Sequence, residues 1–130
     1  MTPSESFLAA KTFGVVGAST NRQKYGNMVL RCYLQHGDEA IVIHPSEPEI
    51  EGVKAYTSLA EAPKIDSLSI ITPPKVTEQI VEDAIKAGVR HLWMQPGAES
   101  GEAIKRAEEA GMNVIAGGPC LLVVLGFRDQ

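Results

Sequence analysis

The chain has 130 residues, 44% apolar and 22% charged, with 12 basic against 16 acidic side chains and a formal net charge of −4. Residues 1–130 fit one domain, long enough to bury a core without disulfide staples. The mild acidity excludes the broad basic surface that nucleic acid or an anionic membrane needs, so a bound phosphate must be held locally, by backbone amides and a few nearby cations.

In chain order, Thr12-Phe13-Gly14-Val15-Val16 is a β-branched, apolar run closed by Gly17, the pattern of a buried parallel strand. From Lys24 the period changes: Tyr25, Met28, Val29, Cys32 and Tyr33 recur as on one helix face, and Gly37 stops the helix. Ala40-Ile41-Val42-Ile43 predicts a second strand ended by His44-Pro45, followed by a polar loop over Ser46 to Gly52 and a weak strand near Val53 to Tyr56. Ser58-x-x-Glu61 reads as a capping box on a short helix stopped by Pro63.

Leu68 to Ile71 predicts a further strand, and Thr72-Pro73-Pro74 opens a helix, because proline tolerates a first turn whose N–H groups lack partners. Its stripe is Val76, Ile80, Ala84 and Ala87, with Gly88 as the stop. His91 to Met94 is a strand ending at Gln95-Pro96-Gly97. Ser100 caps a helix with Ala103, Ile104, Ala107 and Ala110 on its apolar face, and Gly111 ends it. Asn113 to Ala116 is the last strand, and Gly117-Gly118-Pro119 turns into a short helix over Cys120 to Phe127. Strands alternating with helices of this length predict one three-layer, doubly wound α/β domain with a mainly parallel sheet.

In such a sheet, ligands bind beyond the carboxyl ends of the strands where strand order reverses. With the first strand central, three loops converge: Gly17-Ala18-Ser19-Thr20, His44-Pro45, and Thr72-Pro73-Pro74; Gln95-Pro96-Gly97 lies one strand further on. Gly17 lets the backbone approach a phosphate, and Ser19 and Thr20 offer hydroxyls, although Gly17 equally suits a tight strand-to-helix turn. The spacing Gly14-x-x-Gly17-x-Ser19 is not the full dinucleotide fingerprint. The second strand ends in His44, where an NAD site usually places a carboxylate for the ribose 2′-hydroxyl; none occurs until Glu47. The position therefore permits a phosphorylated ribose, or His44-Pro45 simply ends a strand.

These residues resemble those of the small stand-alone CoA-binding domain family, Rossmann-like proteins similar to the amino-terminal domain of the succinyl-CoA synthetase alpha subunit. The resemblance rests on Gly14-Val-Val-Gly17-Ala18-Ser19, His44-Pro45, Gly52-Val-Lys-Ala-Tyr-Thr-Ser-Leu59, Asp66, Trp93-Met94-Gln95-Pro96-Gly97 and Cys120, and runs from about Thr12 to Val124. It implies coenzyme A, or an acyl-CoA, as ligand. Gly17, Ala18 and Ser19 would hold the pyrophosphate region, and His44, Pro45 and Ser46 would lie by the adenosine with its 3′-phosphate. Ile71 to Pro74 would flank the nucleotide, and Met94, Gln95 and Pro96 would line the pantetheine path. The chain departs from the synthetase-type pattern after the second strand, where Ser46-Glu47-Pro48-Glu49 stands in place of a lysine. Arg22, Lys24 or Lys75 would have to serve the 3′-phosphate instead. The second domain of the synthetase, with its phosphorylated histidine, has no room in 130 residues, so its reaction does not come with the fold.

No nucleophile–base pair, metal-ligand spacing or paired carboxylates stand out, so no catalytic residue and no metal is expected. Cys120 either forms a mixed disulfide with the ligand thiol or is a small core residue; Cys32 is read as core. Two cysteines make no secreted disulfide framework, Met1 to Phe13 lacks a signal-type apolar core, and Cys120 to Leu125 is too short to span a bilayer. The expectation is a cytoplasmic protein with a small-molecule nucleotide ligand and neither nucleic-acid nor membrane partner. The apolar tail Leu121 to Leu125 packs on its own sheet or on a second copy in a homodimer, and both remain open. The function expected is a non-catalytic CoA carrier, sensor or regulatory module; the alternatives are an NAD(P)-binding oxidoreductase, an acyl-CoA ligase-related subunit or a purely structural interaction domain.

Overall fold

The computed structural model describes residues 1–118 and 120–128. Seven strands form one sheet: β1 (Phe13–Val16), β2 (Ala40–Ile43), β3 (Glu49–Ile50), β4 (Val53–Tyr56), β5 (Ser67–Ile70), β6 (His91–Met94) and β7 (Asn113–Ile115). Their order is β3-β4-β2-β1-β5-β6-β7. Every pairing is parallel except β3 with β4. The first strand is central, between β2 and β5, and all four of its residues are buried, which is why the run carries no polar alternation.

Helices cover both faces. α3 (Pro74–Ala87) and α4 (Gly101–Glu109) pack with Val16, Leu68, Ile70, Leu92 and Met94. α1 (Pro3–Leu8), α2 (Tyr25–Gln35) and a single π-helical turn (Leu122–Gly126) lie over the face carrying Phe13, Val15 and Trp93. The strict alternation of side chains along β6 thus sends Met94 to one layer and Trp93 to the other. Gly88, at φ +77°, closes α3 in the left-handed conformation that glycine permits. The Ser100 hydroxyl caps α4 through the Ala103 amide and donates to Glu78 of α3 at 2.7 Å, tying the two helices together.

Several local expectations need correction. α1 has no counterpart in the sequence reading, because six residues are too few to show a period. A Thr2–Glu5 capping box starts it, and Phe7 anchors it edge-on to Trp93 at 5.2 Å between ring centres. The polar loop after His44 contains β3, folded back onto β4 through Glu51 and Gly52, both at positive φ, as a two-residue hairpin requires. Ser58-x-x-Glu61 does not start a helix: Glu61 and Ala62 bond three residues back, and Thr57 rather than Ser58 donates to the Glu61 carboxylate. In α3 the inward positions are Thr77, Val81 and Ala84, whereas Val76 is exposed; the Thr77 hydroxyl tolerates burial by bonding Thr72 Oγ1 at 2.8 Å. Ala110 is exposed at the end of α4. In the tail, Leu121 is fully buried in this chain's own core and Val123 is 81% exposed. Pro119, read as part of the final turn, lies outside the described residues.

Candidate functional site

Three backbone segments meet at the carboxyl end of β1. The Ile71 amide donates to the Val16 carbonyl at 2.8 Å, extending the β1–β5 ladder by one residue. Gly17 has φ +99°, and a Cβ there would stand 1.9 Å from the Ile71 carbonyl oxygen. A Cβ on Gly26, in the first turn of α2, would stand 2.0 Å from the Gly17 carbonyl oxygen. Both glycines are therefore demanded by the chain's own backbone, whatever ligand the turn accepts.

Beyond this crossing the loop is held by side chains. Ser19 Oγ accepts from the Asn21 amide and Asn21 Oδ1 from the Gln23 amide, each at 3.0 Å. Buried Asn27 donates to the Ser19 carbonyl at 2.8 Å and to Glu51 at 3.0 Å. Its oxygen accepts from Arg31 Nε at 2.6 Å, and Arg31 also donates to the Arg22 carbonyl at 2.8 Å. Asn27 and Arg31 were not singled out in the sequence. The one signal for them was an Asn and an Arg four residues apart on an otherwise apolar helix face. Among the described residues, the amides of Ala18, Ser19 and Thr20 have no acceptor within the chain. They follow a strand and precede a helix start, where unpaired N–H groups favour an anion.

The resulting cleft holds about 480 Å³ and is lined by Gly17, Ala18, Ser19, Thr20, Lys24, Tyr25, Gly26, His44, Glu47 and Ile71. The turn, Lys24, His44 and Ile71 were expected there. Glu47, noted in the sequence only as the first carboxylate after the second strand, is turned toward the cleft with its amide donating to His44 Nδ1 at 2.9 Å alongside the Ser46 amide at 3.1 Å. With Nδ1 accepting both, the neutral ring carries its proton on Nε2 and offers a donor. Pro45 and Ser46 are exposed, outside the cleft lining. Arg22 pairs with Glu51 at 3.7 Å. Thr72 turns to Thr77, Pro73 and Pro74 are exposed, and Lys75 lines a separate depression between α3 and α4.

The remaining expected residues sit one strand over. Met94 is fully buried on the α3–α4 side, and Pro96 is exposed. Gln95 is fully buried, and its Oε1 accepts from the Tyr25 hydroxyl and the Leu121 amide, both at 3.0 Å. The Tyr25 hydroxyl also contacts the Cys120 thiol. Burial, then the bond to Cys120, pushes the Tyr25 phenol well above its ordinary range. Burial, with Cys120 and Asp38 as smaller causes, pushes the Cys32 thiol up to about 11. Among the described residues, no group of three or more His, Cys, Asp or Glu could hold a metal ion, and no helix is long and apolar enough to cross a membrane.

Comparison with known proteins finds relatives in sequence and in fold. The alpha subunit of acetate–CoA ligase (ADP-forming) II from Pyrococcus furiosus is 30% identical over 107 residues, covering 79% of this chain and 23% of the ligase subunit. The chain thus spans about a quarter of that relative's length. YneT, an uncharacterized protein of Bacillus subtilis, is 29% identical, with 82% of this chain and 79% of YneT covered. Among solved structures, a conserved hypothetical protein from Pyrococcus furiosus superposes with a TM-score of 0.83 at 41% identity, covering 88% of this chain and 99% of that one. The dinucleotide-forming acetyl-coenzyme A synthetase 1 of Ca. Korarchaeum cryptofilum superposes with a TM-score of 0.71 at 30% identity, covering 80% of this chain and 25% of the synthetase. The model of the CoA binding domain matches residues 11–126, and the chain belongs to that family.

Proposed function

We propose that this protein binds coenzyme A or an acyl-CoA in the cleft beyond β1 and acts as a non-catalytic carrier, sensor or regulatory module. The observation that carries the reading is the Ala18-Ser19-Thr20 turn. Among the described residues its amides have no acceptor, it is braced from below by Asn27 and Arg31, and Lys24 stands on the cleft wall. Such a turn suits a diphosphate without a basic protein surface. His44 supplies a donor, rather than a carboxylate, at the end of β2. Kinship with ligase subunits supports CoA over other nucleotides.

One observation favours a second reading, dinucleotide binding: Glu47 lines the cleft and could accept from a ribose hydroxyl. A thermal-shift series separates the two. CoA is expected to raise the melting midpoint, by about 2.7 kcal/mol of added stability at a hundredfold excess over Kd. NAD and dephospho-CoA should do less. Glu47→Gln should tighten CoA by relieving repulsion from phosphate. Stabilisation by NAD and not by CoA, weakened by the same substitution, would overturn the CoA reading.

A further inference from the structure

Tyr25, Gln95 and Cys120 meet on the α2 side of the β6 carboxyl end, and phosphate binding leaves all three unexplained. Both partners of Gln95 Oε1 are donors: the Leu121 amide cannot accept, and the Tyr25 hydroxyl has its proton on the same oxygen. The orientation of the carboxamide is thereby settled. Its Nε2 is left as a fully buried donor with no partner, the sole such side-chain atom among the described residues. A buried donor left unpaired loses its hydration for nothing, and such groups call for an explanation. With the Tyr25 proton committed to Gln95, the Cys120 S–H is the donor in the Tyr25–Cys120 contact. Cys120 is half-buried, whereas Cys32 is buried and bonded to the Gly126 carbonyl. Tyr25 also lines the phosphate cleft, so one side chain joins cleft and thiol.

We propose that Cys120, with Tyr25 and Gln95, is a thiol–disulfide exchange site for the disulfide form of a thiol-ended ligand held in the cleft. The proposal rests on the CoA reading, which supplies that ligand, and deepens it into redox regulation of the same site. The Cys120 thiol gives up its proton and attacks one sulfur of the ligand disulfide. The ligand S–S bond breaks, and a new S–S bond joins Cys120 to one half. The other half leaves as a thiolate and takes up the proton, so the protein thiol is oxidised and the departing thiol reduced with no further oxidant. The Gln95 amide donates to an oxygen of the ligand arm and gains the acceptor it lacks. Cys32 stays out of the reaction, buried and held as the thiol.

The test mixes reduced protein with CoA disulfide and, separately, with glutathione disulfide, following adducts by intact mass and peptide mapping. One CoA-sized adduct is expected on Cys120, forming at least about tenfold faster than glutathionylation and absent from Cys120→Ser. Gln95→Met should narrow the gap between the two disulfides. No adduct, an adduct on Cys32, or equal rates would overturn the proposal. Thermal shift by CoA on Cys120→Ser keeps the readings apart: a retained shift with no adduct on the natural protein refutes exchange alone. Loss of the shift in both proteins refutes binding itself.

Discussion

The two ends of the sheet carry depressions of nearly equal size and mixed polar and apolar lining. At the amino end, the turn between β4 and β5 and the last turns of α3 enclose about 520 Å³, walled by Leu59, Ala62, Pro63, Ile65, Ala87 and Val89 with Asp83, Lys64 and Lys86 also on the lining. At the carboxyl end, the cleft of about 480 Å³ is walled by the glycine turn, Lys24, His44 and Glu47. Volume does not distinguish the two. What does is the state of the polar groups: the carboxyl end holds a turn whose amides have no acceptor among the described residues, braced by two buried polar side chains. In parallel strands the chain leaves every carboxyl end through a loop, and at β1 neighbouring loops diverge to opposite faces, which opens the cleft there.

The sharpest way to break this contrast is Gly17→Ala. It combines positive φ with a backbone collision against Ile71, and is expected to cost about 3 kcal/mol or more in urea unfolding. Gly52→Ala has comparable φ, +78°, but nothing within 4 Å, and should cost about 1 kcal/mol. Equal losses would show that close approach is not what Gly17 serves. Next, Asn27→Ala strips Arg31 Nε of an acceptor and releases the Ser19 carbonyl. A loss of about 2 kcal/mol is expected, with the CoA-induced thermal shift at least halved. An unchanged shift would mean that the brace does not hold the turn.

A smaller effect belongs to the amino end. His91 has its pKa lowered from 6.5, first by burial and then by Arg90, against a raising influence of Asp66. The unfolded chain therefore binds this proton more readily, so its contribution to stability is present above pH 6.5 and lost as pH falls through the lower folded value. His91→Asn should flatten the acid limb of the stability profile slightly; an unchanged limb would remove His91 as a cause. Last, Ala62→Leu fills the amino-end depression and should leave the CoA-induced shift where it was. A changed shift would mean that the two ends communicate.

Much of the framework was legible in the chain. Phe13 to Val16 reads as a buried strand because both its faces are covered, and Gly88 and Ser100 mark helix ends through local backbone requirements that any sequence must meet. The turn at Gly17 was legible as a place, and His44 as an unusual residue there. Less visible were Asn27 and Arg31, which on a helix face look like solvent-facing polar groups until the loop they bond is folded over them.

What the amino-acid order determined alone was the alternation of strand and helix, and so the sheet, its layers and the end where a ligand would sit, since those follow from period and turn chemistry within a few residues. Tertiary structure decided which glycines have no room for a side chain, how Glu47 returns to the cleft, and that Gln95, Tyr25 and Cys120 share one cluster. Tyr25 and Cys120 lie 95 positions apart, and only the packing of α2 and the segment after β7 on one face of the sheet brings them into contact. Contacts between such distant residues depend on the packing of every element between them, and no local pattern encodes that.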